Sequence, residues 1–212
     1  MSTEAVVHVV DDDVAVRQSL SFLLASDGLP VRLHESADAF LAKVGDLSAG
    51  CIVTDVRMPG TDGIAFMRAL KERGIGLPVI VMTGHADVPL AVEAMKEGAI
   101  DFVEKPFDDE GFLATVRAAL ERQERAVHQD ARTTEMQGRV GSLSERERQV
   151  LEGLVAGKAN KVIAYDLGIS PRTVEIYRAN VMTKMQAKSL SDLIRQALAL
   201  GTDHPDRVEG HR

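Results

Sequence analysis

The 212-residue sequence has a single cysteine, Cys51, so no internal disulfide can form. Cys51 lies in an apolar run, which suits a small buried hydrophobe. No Cys/His cluster has the spacing of a metal site. No apolar run is long enough to span a bilayer, and residues 1–4 lead into a strand pattern without a basic segment. A secretory signal is therefore not expected, and the protein is read as cytoplasmic. Internal repeats and low-complexity tracts are also lacking. What remains is a globular composition, 45% apolar and 27% charged, in a length that suits one or two domains.

Charge divides the chain. Residues 1–121 carry 10 basic and 20 acidic groups, a net of −10, whereas residues 142–201 carry 9 and 6, a net of +3. An acidic first part and a mildly basic later part suggest two domains with different partners.

The first part alternates short apolar runs with helical spacing. The runs at 6–10, 31–33, 51–55, 78–82 and 100–103 read as strands. Between and after them, 14–25, 36–47, 63–71, 88–96 and 112–120 read as helices. Short, mostly apolar strands in this alternation predict a parallel sheet covered on both faces, a five-stranded doubly wound α/β fold. All five strand ends then fall on one edge, the edge where such folds place their chemistry.

Polar groups stand at or just beyond four of those ends: Asp11 and Asp12, Asp55, Thr83, and Lys105. Each alone has an ordinary reading as a helix cap, a turn or a surface lysine. Together they form a set. Three clustered carboxylates repel unless a cation neutralises them, and a few oxygen ligands with open positions suit Mg²⁺ better than a caged Ca²⁺. An aspartate can act as a phosphoryl nucleophile. Thr83 can donate a hydrogen bond to a phosphoryl oxygen, and Lys105 can place a positive charge on another.

These residues also carry a resemblance. Val9-Val10-Asp11-Asp12-Asp13, Asp55-Val56-Arg57-Met58-Pro59-Gly60, Val81-Met82-Thr83-Gly84 and Glu104-Lys105-Pro106-Phe107 resemble, in kind, order and spacing, the receiver domain of bacterial response regulators over roughly 5–122. The resemblance implies that Asp55 accepts a phosphoryl group from a sensor histidine kinase. It implies that Asp12, Asp55 and the Arg57 carbonyl ligate Mg²⁺, with Asp11 acting through water. It makes Thr83 and Phe102 a switch pair. An aspartyl phosphatase is the rival from the enzyme class, but such enzymes need an acid/base carboxylate two residues after the nucleophile, where this chain has Arg57. No enzyme is expected. A receiver that has lost its chemistry is a second rival, and the intact acidic set, Thr83 and Lys105 argue against it.

Residues 123–141, rich in Arg, Gln, Thr and Glu, read as the end of the fifth helix plus a linker. From 142 onward the signals are helical. Ser144 and Glu147 fit a capping box, Gly157 and Gly168 are stops, and Ser170-Pro171 caps the next helix. A short helix, a tight turn and a helix from Pro171 make a helix-turn-helix pattern. Val174, Tyr177, Val181 and Met185 share its inward face. Arg172, Ile176, Ala179, Asn180 and Thr183 share the outward face, whose small, polar and aliphatic side chains suit a major groove. Thr173, Arg178, Lys184 and Lys188 are candidate phosphate contacts. Residues 202–212 read as a disordered tail.

The stretches 143–151 and 170–178 resemble the LuxR-type DNA-binding domain over about 140–200. The combination, with residues 83–96 and 178–185, resembles the FixJ group of transcription activators. That resemblance implies a kinase, promoter DNA and RNA polymerase as partners, with control of nitrogen-fixation genes in response to oxygen. It also implies a phosphorylation-dependent homodimer through the fourth helix and fifth strand. The fourth helix carries Val88, Ala91, Val92 and Met95 on neighbouring positions, with Lys96 at their border and Leu90 and Ala94 opposite. One face should pack on the sheet. The other reads either as scattered surface apolar residues or, as the resemblance favours, as a contact of Val88, Val92 and Lys96 with a second copy, in which Lys96 would reach Asp101.

Overall fold

The computed structural model describes residues 5–43, 49–84 and 88–201. The second half of the second expected helix (44–47) and the expected disordered tail (202–212) lie outside the described residues, as does the Val88 side chain. The chain divides into two compact units, Met1–Val127 and His128–Arg212.

The first unit alternates β1 (Val6–Val10), α1 (Val14–Ser26), β2 (Val31–His34), α2 (Ala37–Leu41), β3 (Gly50–Asp55), α3 (Gly63–Glu72), β4 (Val79–Thr83), α4 (Val88–Lys96) and β5 (Asp101–Glu104). The fifth helix, α5 (Asp109–Gly141), begins here and contains the boundary between the units. The strands pair in parallel in the order β2-β1-β3-β4-β5. Successive side chains leave opposite faces of a strand, so β3 sends Ile52 to one core and Cys51 and Val53 to the other. The first core gathers Phe40, Phe66, Met67 and Val81. The second gathers Leu20, Leu24, Ile80, Phe112 and Val116. Both faces being covered explains why β1, β3 and β4 read as continuous apolar runs.

β1 places a polar residue in this apolar setting. His8 is fully buried, and its Nδ1 lies 3.2 Å from Nε2 of His34, 6% exposed at the end of β2. Both rings meet Phe40 edge-on. Burial, joined for His8 by the neighbouring His34 and Arg32 and for His34 by Lys43 and Arg32, pulls each ring from 6.5 down to about 4. The folded values lie below the unfolded one. The stability from keeping these rings neutral is therefore full above pH 6.5 and is lost as pH falls toward 4. By pH 5 each ring should cost about 2 kcal/mol. Urea midpoints of the wild type should fall steeply between pH 7 and pH 5. A His8→Leu/His34→Leu double variant should show a flatter profile, and equal slopes would refute the assignment.

The second unit contains the end of α5, then α6 (Glu145–Val155), α7 (Asn160–Leu167), α8 (Pro171–Lys184) and α9 (Leu190–Ala199). Their apolar faces meet in one core around Val150, Leu151, Ile163, Val174, Val181, Met185 and Leu193. The Ser144/Glu147 capping box forms as the sequence predicts. Gly168 ends α7 at φ 66°, a left-handed conformation that admits glycine freely, and this sets the tight turn into α8. The stretch expected to contain a linker differs from its reading: the helix runs unbroken to Gly141. Residues 112–137 contain no glycine or proline and many good helix formers, so propensity sustains the helix where no apolar stripe announces it.

Candidate functional site

β3 delivers Asp55 to the carboxyl edge of the sheet, and the Val56 N–H donating to the Met82 carbonyl holds the strand end in place. The loop that follows is pulled tight against it. The Gly63 N–H donates to the Val56 carbonyl at 2.9 Å. A Cβ on Gly63 would stand 2.5 Å from the Asp55 carbonyl oxygen, so a side chain there would displace the backbone that carries Asp55. Sequence reading missed this glycine. Its signal was available only as a glycine at the start of a helix.

Asp11, Asp12 and Asp55 converge, each offering a carboxylate oxygen within 4.8 Å of the others. Asp13, the third acid of the run, instead caps α1 by accepting from the Ala15 N–H at 2.7 Å. Lys105, just beyond β5, donates from Nζ to Asp55 Oδ2 at 3.0 Å and to Asp11 Oδ2 at 3.1 Å. Asp11 is 1% exposed, and its Oδ1 also accepts from the Asp13 N–H at 2.8 Å. Burial raises the Asp11 pKa more than the Asp13 N–H and Lys105 lower it. Burial works to lower Lys105, but its bonds to Asp55 and Asp11 outweigh this and its pKa is raised. Both pKa values thus rise: burial and the neighbouring Asp55 charge work against the ionised form of Asp11, while the two carboxylates hold the charge on Lys105. Arg17 also serves the site unannounced by the sequence: its Nη1 donates to the carbonyls of Asp11 at 2.7 Å and Asp12 at 2.9 Å, fixing the acidic loop.

Thr83 ends β4, buried, with Oγ1 donating to the Gly84 carbonyl at 3.3 Å, a long bond that it can exchange. The register pairs Val81 with Phe102 and Thr83 with Glu104. Phe102 is 45% exposed on the edge strand β5. Thr83 and Phe102 line one cavity of about 360 Å³ with Val92, Met95 and Lys96. The expected switch pair therefore shares a wall. Of the expected dimer residues, Val92, Lys96 and Asp101 are exposed, whereas Ala91 and Ala94 are buried and Ala94 packs α4 onto the sheet.

In the second unit, α8 divides as its spacing predicts. Val174, Val181 and Met185 are fully buried and Tyr177 packs against the same core, while Arg172, Ile176, Ala179, Asn180 and Thr183 are exposed. Ser170 caps the helix, accepting from the Thr173 N–H at 3.1 Å, and its hydroxyl also meets Thr173 Oγ1 at 2.8 Å. Arg178 is half-buried and Lys188 exposed. Lys184 departs from the sequence reading. Its Nζ donates to Glu147 Oε2 at 2.7 Å and to the Ser142 carbonyl at 3.2 Å, so it is bound within the domain rather than offered to phosphate. This bond first, with the Ser144 N–H, holds the Glu147 carboxyl below its ordinary range.

Comparison with known proteins matches both units. Residues 7–117 match the response regulator receiver domain, and residues 141–197 match the bacterial regulatory proteins of the luxR family. The transcriptional regulatory protein FixJ of Azorhizobium caulinodans is 61% identical over 200 residues, covering 94% of this chain and 95% of that protein. Crystal structures of full-length FixJ from B. japonicum align at 53% identity with a TM-score of 0.60, covering 95% of this chain and all of that one. The structure of the response regulator StyR aligns at 36% identity with a TM-score of 0.84, covering 93% of this chain and all of that one. A receiver fold with its acidic edge, followed by a LuxR-type helical domain, places this chain in the FixJ group of two-component response regulators.

Proposed function

We propose that this protein is a cytoplasmic transcription activator controlled by phosphorylation of Asp55. The observation that carries the reading is Lys105 bridging Asp55 and Asp11 beside the third carboxylate, Asp12. A sensor histidine kinase supplies the phosphoryl group. Asp55 Oδ forms the new bond to phosphorus as the bond from phosphorus to the kinase imidazole nitrogen breaks. Lys105 then has a phosphoryl oxygen to neutralise in place of the carboxylate it now holds, and Thr83 Oγ1 donates to another. Asp12, Asp55 and the Arg57 carbonyl, with Asp11 through water, would hold Mg²⁺. The all-oxygen donor set fits this hard cation, which when bound offsets the charge between acceptor and phosphoryl group.

Engagement of Thr83 reshapes the wall shared with Phe102, and two receivers pair through α4 and β5. Arg172, Ile176, Ala179, Asn180 and Thr183 read base edges, with Thr173, Arg178 and Lys188 on phosphates. RNA polymerase is the downstream partner, and similarity to FixJ favours nitrogen-fixation genes as targets. No described helix is long and apolar enough to cross a membrane, consistent with this setting.

The test is selection from a random-sequence duplex library by the full-length protein, with and without acetyl phosphate. Enrichment of a discrete motif only after phosphorylation supports the reading; equal enrichment without it counts against phosphate control. On the selected duplex, Asn180→Ala should cost about 1–3 kcal/mol and relax one base position, leaving the salt dependence unchanged. Lys188→Ala should instead weaken all duplexes alike and lower the salt slope by about 0.9. The opposite assignment of these two effects would invert the proposed face.

A further inference from the structure

The last turn of α8 is gripped from outside its own helix. Arg139, near the end of α5, donates from Nη1 to the Met185 carbonyl at 3.2 Å and from Nη2 to Gln186 Oε1 at 2.9 Å. The same Nη2 reaches Glu135 Oε1 at 2.7 Å. The Met185 carbonyl is among those that an α-helix leaves without an intrahelical partner, and the negative end of the helix dipole favours a cation there. Gln186 has φ 53°, a left-handed conformation uncommon for a residue with a side chain. Arg139 Nε is buried with no hydrogen-bond partner, a cost that an arginine lying freely on the surface would not carry. One residue earlier on α8, Lys184 is tied to the Ser142 carbonyl and to buried Glu147. The corner between α5 and α6 therefore holds the end of α8 through two cations with separate partners.

We infer that Arg139 is a positioning residue for DNA recognition, acting through Met185 and Gln186 on the orientation of the final turns of α8. This rests on the reading that the outer face of α8 meets base edges. The opposite end of α8 has its own anchor in the Ser170 cap, and Val174 and Val181 fix its inner face. The outward residues nearest the gripped end are Asn180 and Thr183. A hydrogen bond to a base edge weakens steeply with misalignment, so loosening that end degrades discrimination before it degrades general attraction to DNA. Arg139 precedes the stretch that matches the luxR family, 141–197, so the functional DNA-binding unit extends upstream into α5.

The experiment compares phosphorylated full-length protein on a duplex selected by the wild type and on a scrambled duplex of the same composition. Arg139→Gln should lower affinity for the selected duplex about tenfold, with less than about a twofold change on the scrambled one. The salt slope should stay at the wild-type value, whereas loss of a direct phosphate contact would lower it by about 0.9 and overturn the inference. Arg139→Lys, which keeps the charge but not the fork, should recover part of the loss. Gln186→Gly separates positioning from stability. Glycine accepts the left-handed backbone, so the second unit should melt near its wild-type temperature while selectivity still falls. Undiminished selectivity in both Arg139→Gln and Gln186→Gly refutes the role, provided that Asn180→Ala loses it. If Asn180→Ala also keeps full selectivity, the base-reading face fails and the inference fails with it.

Discussion

Asp55→Asn should take up no phosphoryl group from acetyl phosphate, with hydroxylamine-sensitive label falling at least about a hundredfold. The substitution keeps the shape of the side chain and removes the nucleophilic charge. Lys105 retains Asp11 as its ion-pair partner, and Asp11 loses the repulsion that Asp55 exerts on it. The variant should therefore melt at or slightly above the wild-type temperature, which makes a loss of label interpretable as lost chemistry rather than lost fold. Asp12→Ala should lower the label together with its dependence on Mg²⁺. Lys105→Ala should behave differently again. It leaves two close carboxylates and an approaching phosphoryl group without their cation, so both labelling and stability should suffer. Undiminished hydroxylamine-sensitive label on Asp55→Asn would move the acceptor elsewhere and end the proposed mechanism.

The parts of this site that the sequence made legible share one property: they follow from strand ends. An apolar β-branched run that stops at an acid, repeated along a parallel sheet, brings residues far apart in the chain to one edge, and Asp11, Asp55, Thr83 and Lys105 are all found there. Contacts that depend on long side chains reaching across the fold left no such pattern. Arg17 lies in a helical stretch and reaches back to carbonyls of the acidic loop. Lys184 looks like any basic residue on a DNA-binding helix, and only the tertiary fold brings it to Glu147, 37 positions away. The continuation of α5 was illegible for a different reason. Its residues beyond Leu120 are largely exposed, so there is no hydrophobic period to read, and backbone propensity with i,i+4 pairs such as Glu135–Arg139 keeps it helical.

Val92→Asp should hold the phosphorylated protein monomeric. Val92 is 48% exposed on α4, beside Met95 at 43% and Phe102 at 45%, and all three line the cavity that also contains Thr83. A free protomer thus leaves large apolar side chains together on one face, whereas Leu90 and Ala94 are spent on packing α4 inward. A two-fold contact through that face is self-complementary, so each substitution enters the interface twice and sets two carboxylates near one another. Burying two carboxylates close together in an apolar contact costs several kcal/mol, enough to raise the dimer dissociation constant at least about a hundredfold. In the proposed dimer Lys96 and Asp101, both exposed in the protomer, would pair across the same axis and fix the register of the two copies. Phosphorylation shifts the equilibrium only if the phosphorylated receiver prefers the dimer-competent shape, and the cavity between Thr83 and Phe102 is where that preference can arise. Because Val92 is half-exposed in the protomer, the variant should label at Asp55 and melt as the wild type does. Sedimentation of the phosphorylated variant decides the matter. A dimer at wild-type concentrations would place the interface on another face, and a monomer that labels normally would fix it on α4 and β5.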